Sequence, residues 1–280
     1  MQPITDRPVR FGELAGPLVH GASFFDWQLV ATQEVAAAVD YPFEAILADD
    51  GIPFAPVVVA TSVDRYPGVG DEVTVEVVPL SVGDTSVELL YEVVDGGGDR
   101  FAAARMTHVT IAPDGGAREL PDDARAALSD ARVDRSVEVG PAADGDAGDD
   151  LPTLATSFPV RSPHIEGAEL AYFEEYPRFA GIVLEEYLED CGTSLGELGG
   201  EKQPFRLRDW EWEFRAPVPF ETTLRVECDV RSVDEGAVRV AHELSSGGRT
   251  NISGVTEYGC FDREGNPVPF DDAMLEPFRG

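Results

Sequence analysis

The residue types that most often bind metals or act as nucleophiles are scarce in this 280-residue sequence. The cysteines are Cys191, Cys228 and Cys260, and the histidines are His20, His108, His164 and His242. The cysteines stand at none of the spacings that bind zinc, and their odd number argues against a disulfide framework. We therefore expect ordinary thiols, no metal site and no cofactor. Any chemistry must come from carboxylates, single histidines or backbone groups.

Carboxylates dominate the composition, with 53 Asp and Glu residues against 21 Lys and Arg and a formal net charge of −32. Such a chain repels phosphates and anionic lipids, which excludes nucleic acids and membrane surfaces as partners. Lys202 is the only lysine. Acidic residues in every segment and the loss of lysine indicate adaptation to molar salt, where repulsion is screened within about 3 Å. The alternative interpretation is an acidic surface that docks a basic protein.

The hydrophobic content of 43% predicts a folded chain with a substantial core. No apolar run approaches the roughly 18 residues that a membrane-spanning helix needs. The first residues also lack the basic and then apolar pattern of a secretion signal. We therefore expect the protein in the cytoplasm.

Half of the sequence repeats in order, which sets the architecture. The stretch that begins at Tyr66 aligns with the stretch that begins at Ala216, at an offset of about 150 residues. The aligned pairs include Pro67 with Pro217, Val75 with Val226, Tyr91 with His242 and Asp122 with Asp271. The chain is therefore predicted to hold two copies of one structural unit.

Each copy combines one helical stretch with a run of strands. In DWEWEF, Trp210, Trp212 and Phe214 alternate with acidic residues, a period of two that is typical of half-buried antiparallel strands. Ahead of the strands, apolar residues recur at spacings of three and four. They are Phe24, Trp27, Val30, Ala31 and Val35 in the first copy, and Phe179, Val183, Leu184 and Tyr187 in the second.

These patterns predict an α+β fold of two units, each a helix followed by a four-stranded antiparallel run. The N-terminal unit is assigned to residues 1–131 and the C-terminal unit to residues 154–280. Between them, residues 132–153 are acidic and rich in Gly, Ala and Pro, which is typical of a linker.

One long helix wrapped by a twisted antiparallel sheet, present twice, resembles the hotdog fold. The segment VRSPHIEGAELAYFEEYPRFAGIVLEE resembles the 4-hydroxybenzoyl-CoA thioesterase branch of that fold around Tyr176, Arg178 and Phe179. The segment VRFGELAGPLVHGASFFDWQLVA matches around Phe24 and Trp27. The resemblance covers both repeats and implies a tandem hotdog thioesterase. Its implied substrate is an acyl thioester of CoA or of a carrier protein.

The resemblance also implies site residues in the second copy. Counting back from Tyr176 without a gap places Glu166 where the family keeps its catalytic aspartate. The same alignment places Phe173 where a backbone N–H at the helix start polarises the thioester carbonyl. An exposed amide at a helix N-terminus carries partial positive charge and can stabilise an oxyanion. A nearby carboxylate can attack the carbonyl or orient water, although Glu is one methylene longer than Asp.

The first copy matches that pattern less well. Its ungapped position holds Leu14, and Glu13 replaces the aspartate only with a one-residue gap. Gly21 takes the place of Phe173, and His20 precedes it as a candidate base. The string PLVHGA is also similar to the helix start of hotdog hydratases, whose preceding Asp and His are missing here.

Several further residues have a plain packing role as their first interpretation. Glu34 and Glu186 occupy equivalent helix positions, and a second type of hotdog thioesterase uses a helix carboxylate. Trp210 and Trp212 pack on their helix or else line an acyl pocket. The remaining histidines fit no shared metal site, because His108 and His164 lack partners in the other copy and His242 lies on an apolar strand face.

Three functions remain open on the sequence. The first is thioester hydrolysis, the second is non-catalytic binding of an acyl thioester, and the third is a hotdog enoyl-CoA hydratase or dehydratase. Since single hotdog chains pair to complete their sites, a chain with two units is expected to form an internal pseudo-dimer. Pairing of two chains into a homodimer is left open.

The charge predicts a salt-dependent stability. Lowering the ionic strength from about 1 M to about 0.01 M lengthens the screening distance from about 3 Å to about 30 Å, so repulsion between carboxylates should destabilise the fold. We expect the thermal unfolding midpoint to rise with KCl in a series from about 0.05 to about 3 M. A midpoint that stays flat over this series would contradict the interpretation.

Overall fold

The computed structural model describes residues 1–142 and 151–279. The strands of the N-terminal unit are β1 (Ile4–Pro8), β2 (Leu14–Ala15), β3 (Leu18–Val19), β4 (Ile52–Val63), β5 (Glu72–Val82), β6 (Ser86–Val94), β7 (Arg100–Ile111) and β8 (Ala117–Arg118). Its helices are α1 (Ala22–Ala38), α2 (Phe43–Ala48) and α3 (Asp122–Asp130). The helix and the four long strands that follow it were predicted from the sequence.

The C-terminal unit repeats this order. Its strands are β9 (Thr153–Pro159), β10 (Lys202–Phe214), β11 (Thr223–Val233), β12 (Val238–Ser246), β13 (Arg249–Asp262) and β14 (Pro267–Val268). Its helices are α4 (Glu175–Asp190), α5 (Leu195–Leu198) and α6 (Asp272–Arg279). None of the helices in the described part of the chain has both the length and the apolar character needed to cross a membrane.

The long strands form one antiparallel sheet whose order is the same in both halves. The path runs β1-β5-β6-β7-β4 and then β10-β13-β12-β11-β9, so the two units meet where β4 pairs with β10. At this junction Ala60 lies opposite Glu211, with Thr61 opposite Trp210 and Val59 opposite Trp212. The symmetric register makes the chain an internal pair of like units, as the tandem hotdog interpretation requires.

The predicted apolar stripe of α1 packs against the sheet, with one exception. Phe24, Trp27, Ala31 and Val35 of α1 are buried, as predicted from their spacing. Val30 lies on the same predicted stripe but is 37% exposed. Its side chain borders a cleft between the units, which explains an apolar residue without full cover.

An aromatic cluster joins the units at the centre of the molecule. Phe25 of α1 stacks on Trp210 of β10, with ring centroids 4.9 Å apart and planes 10° from parallel. The same ring contacts Trp212 and Phe173. Trp210 and Trp212 are fully buried. The sequence predicted that they pack on the helix of their own unit, but the helix residue whose ring they contact is Phe25, in the other unit.

Part of the predicted linker is hydrogen-bonded to the sheet. Val133 N–H donates to Pro79 O at 3.0 Å, and Arg135 makes two hydrogen bonds of 2.5 and 2.8 Å to Glu92. Strand β9 begins at Thr153, inside the predicted linker. Residues 143–150, the most Gly- and Asp-rich part of that linker, lie outside the described residues.

Two glycines provide a matched test of this packing. A Cβ at Gly254 of β13 would overlap the Glu211 carbonyl and the Trp212 backbone, whereas a Cβ at Gly181 of α4 meets no atom within 4 Å. We expect Gly254→Ala to lower the free energy of unfolding by about 1–3 kcal/mol through overpacking. Gly181→Ala should raise it by up to about 1 kcal/mol through helix propensity. Denaturant titration of both variants measures these changes, and equal effects would contradict the packing described here.

Candidate functional site

Two clefts lie at equivalent places, one at the start of each long helix. The α4 cleft, of about 650 Å³, lies between the start of α4 and a wall formed by α1, α2 and β4 of the N-terminal unit. The α1 cleft, of about 780 Å³, lies between the start of α1 and a wall formed by α4, α5 and β10 of the C-terminal unit. Each cleft therefore needs both units, and both volumes suit a small-molecule ligand.

The α4 cleft contains both residues that the resemblance implied for the second copy. Glu166 lies on a tight turn closed by the antiparallel pair Ile165 and Ala171, with Glu169 in a left-handed conformation. The Ala168 N–H donates to Glu166 Oε2 at 2.8 Å. Burial raises the pKa of Glu166, more than the backbone hydrogen bonds lower it. A carboxylate with a raised pKa is better suited to accept a proton near neutral pH.

The backbone amide that the resemblance implied for the site is that of Phe173. The Tyr172 N–H donates to His164 O at 2.8 Å, and the Glu175 N–H donates to Tyr172 O at 2.9 Å. The Phe173 N–H between them has no acceptor among the described residues. It lies two residues before α4, where the helix dipole favours negative charge. Its side chain is buried against Phe25, with ring centroids 4.9 Å apart.

A contact between the units braces this amide. The Tyr172 hydroxyl donates to Asp26 Oδ1 of α1 at 2.6 Å. Glu174 lies beside them, and burial raises its carboxyl pKa, with the Asp26 charge acting in the same direction. Of these carboxylates only Glu166 lines the α4 cleft, together with Tyr172, and Glu174 is paired with Arg178. The sequence did not single out Asp26 or Tyr172, because only the fold brings these two segments together.

The backbone of the first copy shows which residue corresponds to Glu166. Leu14 pairs with Val19 as Ile165 pairs with Ala171. The intervening turn is one residue shorter, so Ala15 occupies the position of Glu166 and lines the α1 cleft. The alignment that placed Leu14 or Glu13 there is therefore wrong. The first copy has no carboxylate at this position.

Glu13 has a structural role instead. Its carboxylate accepts hydrogen bonds from Arg7 at 2.6 Å, from the Arg10 N–H at 2.7 Å and from Trp27 Nε1 at 3.1 Å. Burial raises its pKa, but these hydrogen bonds outweigh that effect and the pKa is lowered overall. Glu13 lines neither cleft. Its backbone counterpart in the second copy is His164. The Glu13 carbonyl accepts the His20 N–H, and the His164 carbonyl accepts the N–H of Tyr172, the residue equivalent to His20.

His20 and Gly21 do line the α1 cleft, but His20 is unsuited to act as a base. The Ala22 N–H donates to His20 Nδ1 at 3.1 Å. Burial, followed by the charges of Arg178 and Arg206, lowers the pKa of His20 to about 4. The neutral ring must then carry its proton on Nε2, so neither nitrogen has a free lone pair. The Gly21 N–H, like that of Phe173, has no acceptor within the described ranges.

The other candidates lie away from both clefts. Trp210 and Trp212 line neither cleft, which argues against a role in an acyl pocket. Glu34 and Glu186 also line neither, whereas the preceding residues Gln33 and Glu185 each line one cleft. A shift of one helix residue rotates the side chain by about 100°, which the spacing alone did not resolve.

The remaining histidines are structural. His108 Nε2 bonds to the Tyr91 hydroxyl at 2.8 Å and His108 Nδ1 to Phe54 O at 2.8 Å. His242 is buried, with Nδ1 at 3.2 Å from Cys228 Sγ. No cluster of metal-binding side chains occurs in residues 1–142 or 151–279.

Comparisons with known proteins were made by sequence and by structure. No protein-family model and no curated protein matches the sequence. Among solved structures, a candidate oleoyl thioesterase from Lactobacillus plantarum superposes with a TM-score of 0.72 at 12% identity, over 94% of this chain and 95% of the other. The chain has a tandem hotdog fold.

Two further solved structures match over nearly the full length. A 12:0-ACP thioesterase from Umbellularia californica has a TM-score of 0.66 at 15% identity, covering 94% of this chain and 95% of that one. An acyl-ACP thioesterase from Bacteroides thetaiotaomicron has a TM-score of 0.64 at 14% identity, covering 92% and 96%. At these identities the tandem hotdog architecture is shared, and the activity must be argued from the site.

The state of His20 can be tested by NMR. We expect its ring to remain neutral, with the proton on Nε2, until the pH falls to about 4. Because histidine in an unfolded chain titrates near about 6.5, the stability that depends on neutral His20 is present above that pH and is lost as the pH falls toward 4. The ring-nitrogen chemical shifts of the four histidines, followed through a pH titration, measure the tautomer and the pKa of His20. Titration of His20 near its ordinary value would contradict the geometry.

Proposed function

We propose that the protein hydrolyses an acyl thioester in the α4 cleft, releasing a carboxylic acid and a thiol. The observation that carries this proposal is that Glu166 and Phe173 line one cleft between the units, and that the Phe173 N–H has no acceptor among the described residues. A general base and an oxyanion donor are the two groups that hydrolysis of a thioester requires.

In the proposed reaction the thioester carbonyl oxygen accepts a hydrogen bond from the Phe173 N–H. Glu166 takes a proton from water, and the water oxygen bonds to the carbonyl carbon. The negative charge that forms on the carbonyl oxygen is stabilised by the amide and by the α4 dipole. The C–S bond then breaks and the thiolate receives the proton from Glu166. Direct attack by the carboxylate, followed by hydrolysis of the anhydride, is the other route open to the same residue.

The wall opposite Glu166 suits an apolar acyl group. It is built by the N-terminal unit from Leu29, Val30, Phe43, Leu47, Ile52 and Phe54. The few polar lining residues include Gln33 and Arg215. A hydrocarbon chain would be removed from water along this wall, which favours acyl chains over charged acyl groups.

The thiol carrier is proposed to be CoA or an acyl carrier protein. Two of the structurally similar proteins are described as ACP thioesterases. Each carrier ends in a thioester that can reach a cleft open to the surface. Only the α4 cleft is proposed to be catalytic, because the α1 cleft has Ala15 in place of the carboxylate.

We keep two broader proposals from the composition. The three free cysteines fit a reducing compartment such as the cytoplasm. The charge of −32 fits a protein that works in concentrated salt.

Substitution of Glu166 tests the activity directly. Glu166→Gln keeps the size of the side chain and removes its charge, so we expect hydrolysis to fall by roughly 100- to 10,000-fold. Thiol release from a panel of acyl-CoA and acyl-carrier-protein thioesters, in molar KCl, measures the loss. Activity within about threefold of the wild type, a change far below that range, would show that Glu166 is not the base.

Glu13→Gln is the matched control. It removes a carboxylate that is tied to Arg7 and Trp27 and lines neither cleft. We expect it to lower the free energy of unfolding by about 1 kcal/mol and to leave hydrolysis unchanged. If no thioester is cleaved by the wild type while acyl thioesters still bind, the non-catalytic interpretation replaces hydrolysis.

A further inference from the structure

The α1 cleft differs from the α4 cleft in the sign of its charge. The charged residues that line the α4 cleft are Glu44, Glu166 and Arg215, whereas those that line the α1 cleft are Glu185, Arg206 and Arg263. At the helix starts, two pairs of equivalent lining positions differ: Glu166 corresponds to Ala15, and Tyr172 corresponds to His20. The duplication thus kept two clefts of similar volume and reversed the polar character of one.

The helix start in the α1 cleft presents hydrogen-bond donors. Because Nδ1 of His20 accepts from Ala22, the neutral ring carries a donor at Nε2. The Gly21 N–H has no acceptor among the residues described. A Cβ at Gly21 would meet Leu207 Cδ1 and the Tyr66 hydroxyl at 2.9 Å, so glycine allows the close packing that holds this amide in place.

Arg206 places a positive charge behind these donors. Its guanidinium donates to Val19 O at 3.0 Å and to Ala15 O, which fixes the loop before α1. It also lies over the Tyr66 ring at 5.6 Å. In the α4 cleft the equivalent strand position is Ala55, since Phe54 and Phe205 share the same left-handed bulge. Of the two clefts, only the α1 cleft therefore has an arginine at this strand position.

Tyr258 adds a buried polar group without a partner. It lines the α1 cleft and is 3% exposed, and its hydroxyl has no hydrogen-bond partner in the described part of the protein. Tyr258 is the cross-strand neighbour of Leu207, as His108 is of Pro56 in the first unit. There the equivalent polar group is satisfied by Tyr91 at 2.8 Å. Since buried polar groups are seldom unpaired, the Tyr258 hydroxyl points to a missing ligand or water.

We propose that the α1 cleft binds a carboxylate with an apolar tail, such as a free fatty acid, and does not hydrolyse it. The Gly21 N–H, His20 Nε2 and Arg206 would face the carboxylate, and the tail would contact the apolar lining residues. These are Leu184, Leu188, Leu195, Phe205 and Leu207. Glu185 also lines the cleft, and Arg263 lines it with the opposite charge.

The proposal does not depend on hydrolysis, so it is tested by binding alone. Carboxyl-labelled decanoate is titrated into the wild-type protein in molar KCl and followed by NMR and calorimetry, with decanol as the neutral probe of the same tail. We expect saturable binding of decanoate and binding of decanol weaker by roughly tenfold or more, because a charge-assisted hydrogen bond is lost.

Two variants assign the bound probe to a cleft. Ala15→Glu places a carboxylate where the α4 cleft has Glu166, and it should weaken decanoate binding by roughly tenfold or more through repulsion. Tyr258→Phe removes only a hydroxyl and should weaken binding by a few-fold. Glu166→Gln is the control in the other cleft and should leave decanoate affinity unchanged.

Each other outcome overturns the proposal. Absence of decanoate binding, or equal binding of decanol, would leave no carboxylate site. Stronger decanoate binding in Glu166→Gln together with an unchanged Ala15→Glu would place the probe in the α4 cleft. The unfolding midpoint of Ala15→Glu shows whether this variant folds. If Ala15→Glu does not fold, Tyr258→Phe tests the site independently.

Discussion

The pairing of β4 with β10 is the constraint on which the rest of the structure depends. Five residue pairs from Val58–Glu213 to Ser62–Asp209 join two half-sheets into one. Because the junction is antiparallel and nearly symmetric, each long helix begins against a wall of the opposite unit. Neither cleft could be completed by one unit alone, so covalent linkage of the two copies guarantees both sites at any protein concentration.

Linkage also frees the two copies to diverge. In an assembly of identical chains, a substitution at a helix start changes both clefts at once. In this chain, Ala15 and Glu166 occupy the same position with different chemistry. Glu166 lines the α4 cleft, whereas His20 and Arg206 line the α1 cleft. A shared backbone with opposite polarity is best explained by separate roles for the two clefts.

The cores record the same divergence. In the first unit, Thr32, Tyr91 and His108 form a continuous buried hydrogen-bond network that ends on Phe54 O. In the second unit, His242 bonds to Cys228 through Nδ1 only, and no partner for its Nε2 lies in the described ranges. An unsatisfied buried polar group lowers stability, so this atom destabilises the second core, whereas the equivalent polar groups of the first core are hydrogen-bonded.

The sequence by itself determined the repeat, the helix followed by four strands in each unit, and the residues buried on α1, because periodicity reports directly which side of an element is apolar. Its resemblance to a thioesterase family pointed to Glu166 and the Phe173 amide as candidate site residues, and both residues line the α4 cleft. Tertiary structure decided the rest. A turn shortened by one residue moved Ala15, and not Glu13, into the equivalent place. Asp26 and Tyr172 are 146 residues apart in the chain, and only the fold brings them into contact. The alternation of Trp210 and Trp212 with acidic residues fits core residues and ligand-facing residues equally well. Only the position of Phe25 across the junction showed that they belong to the core.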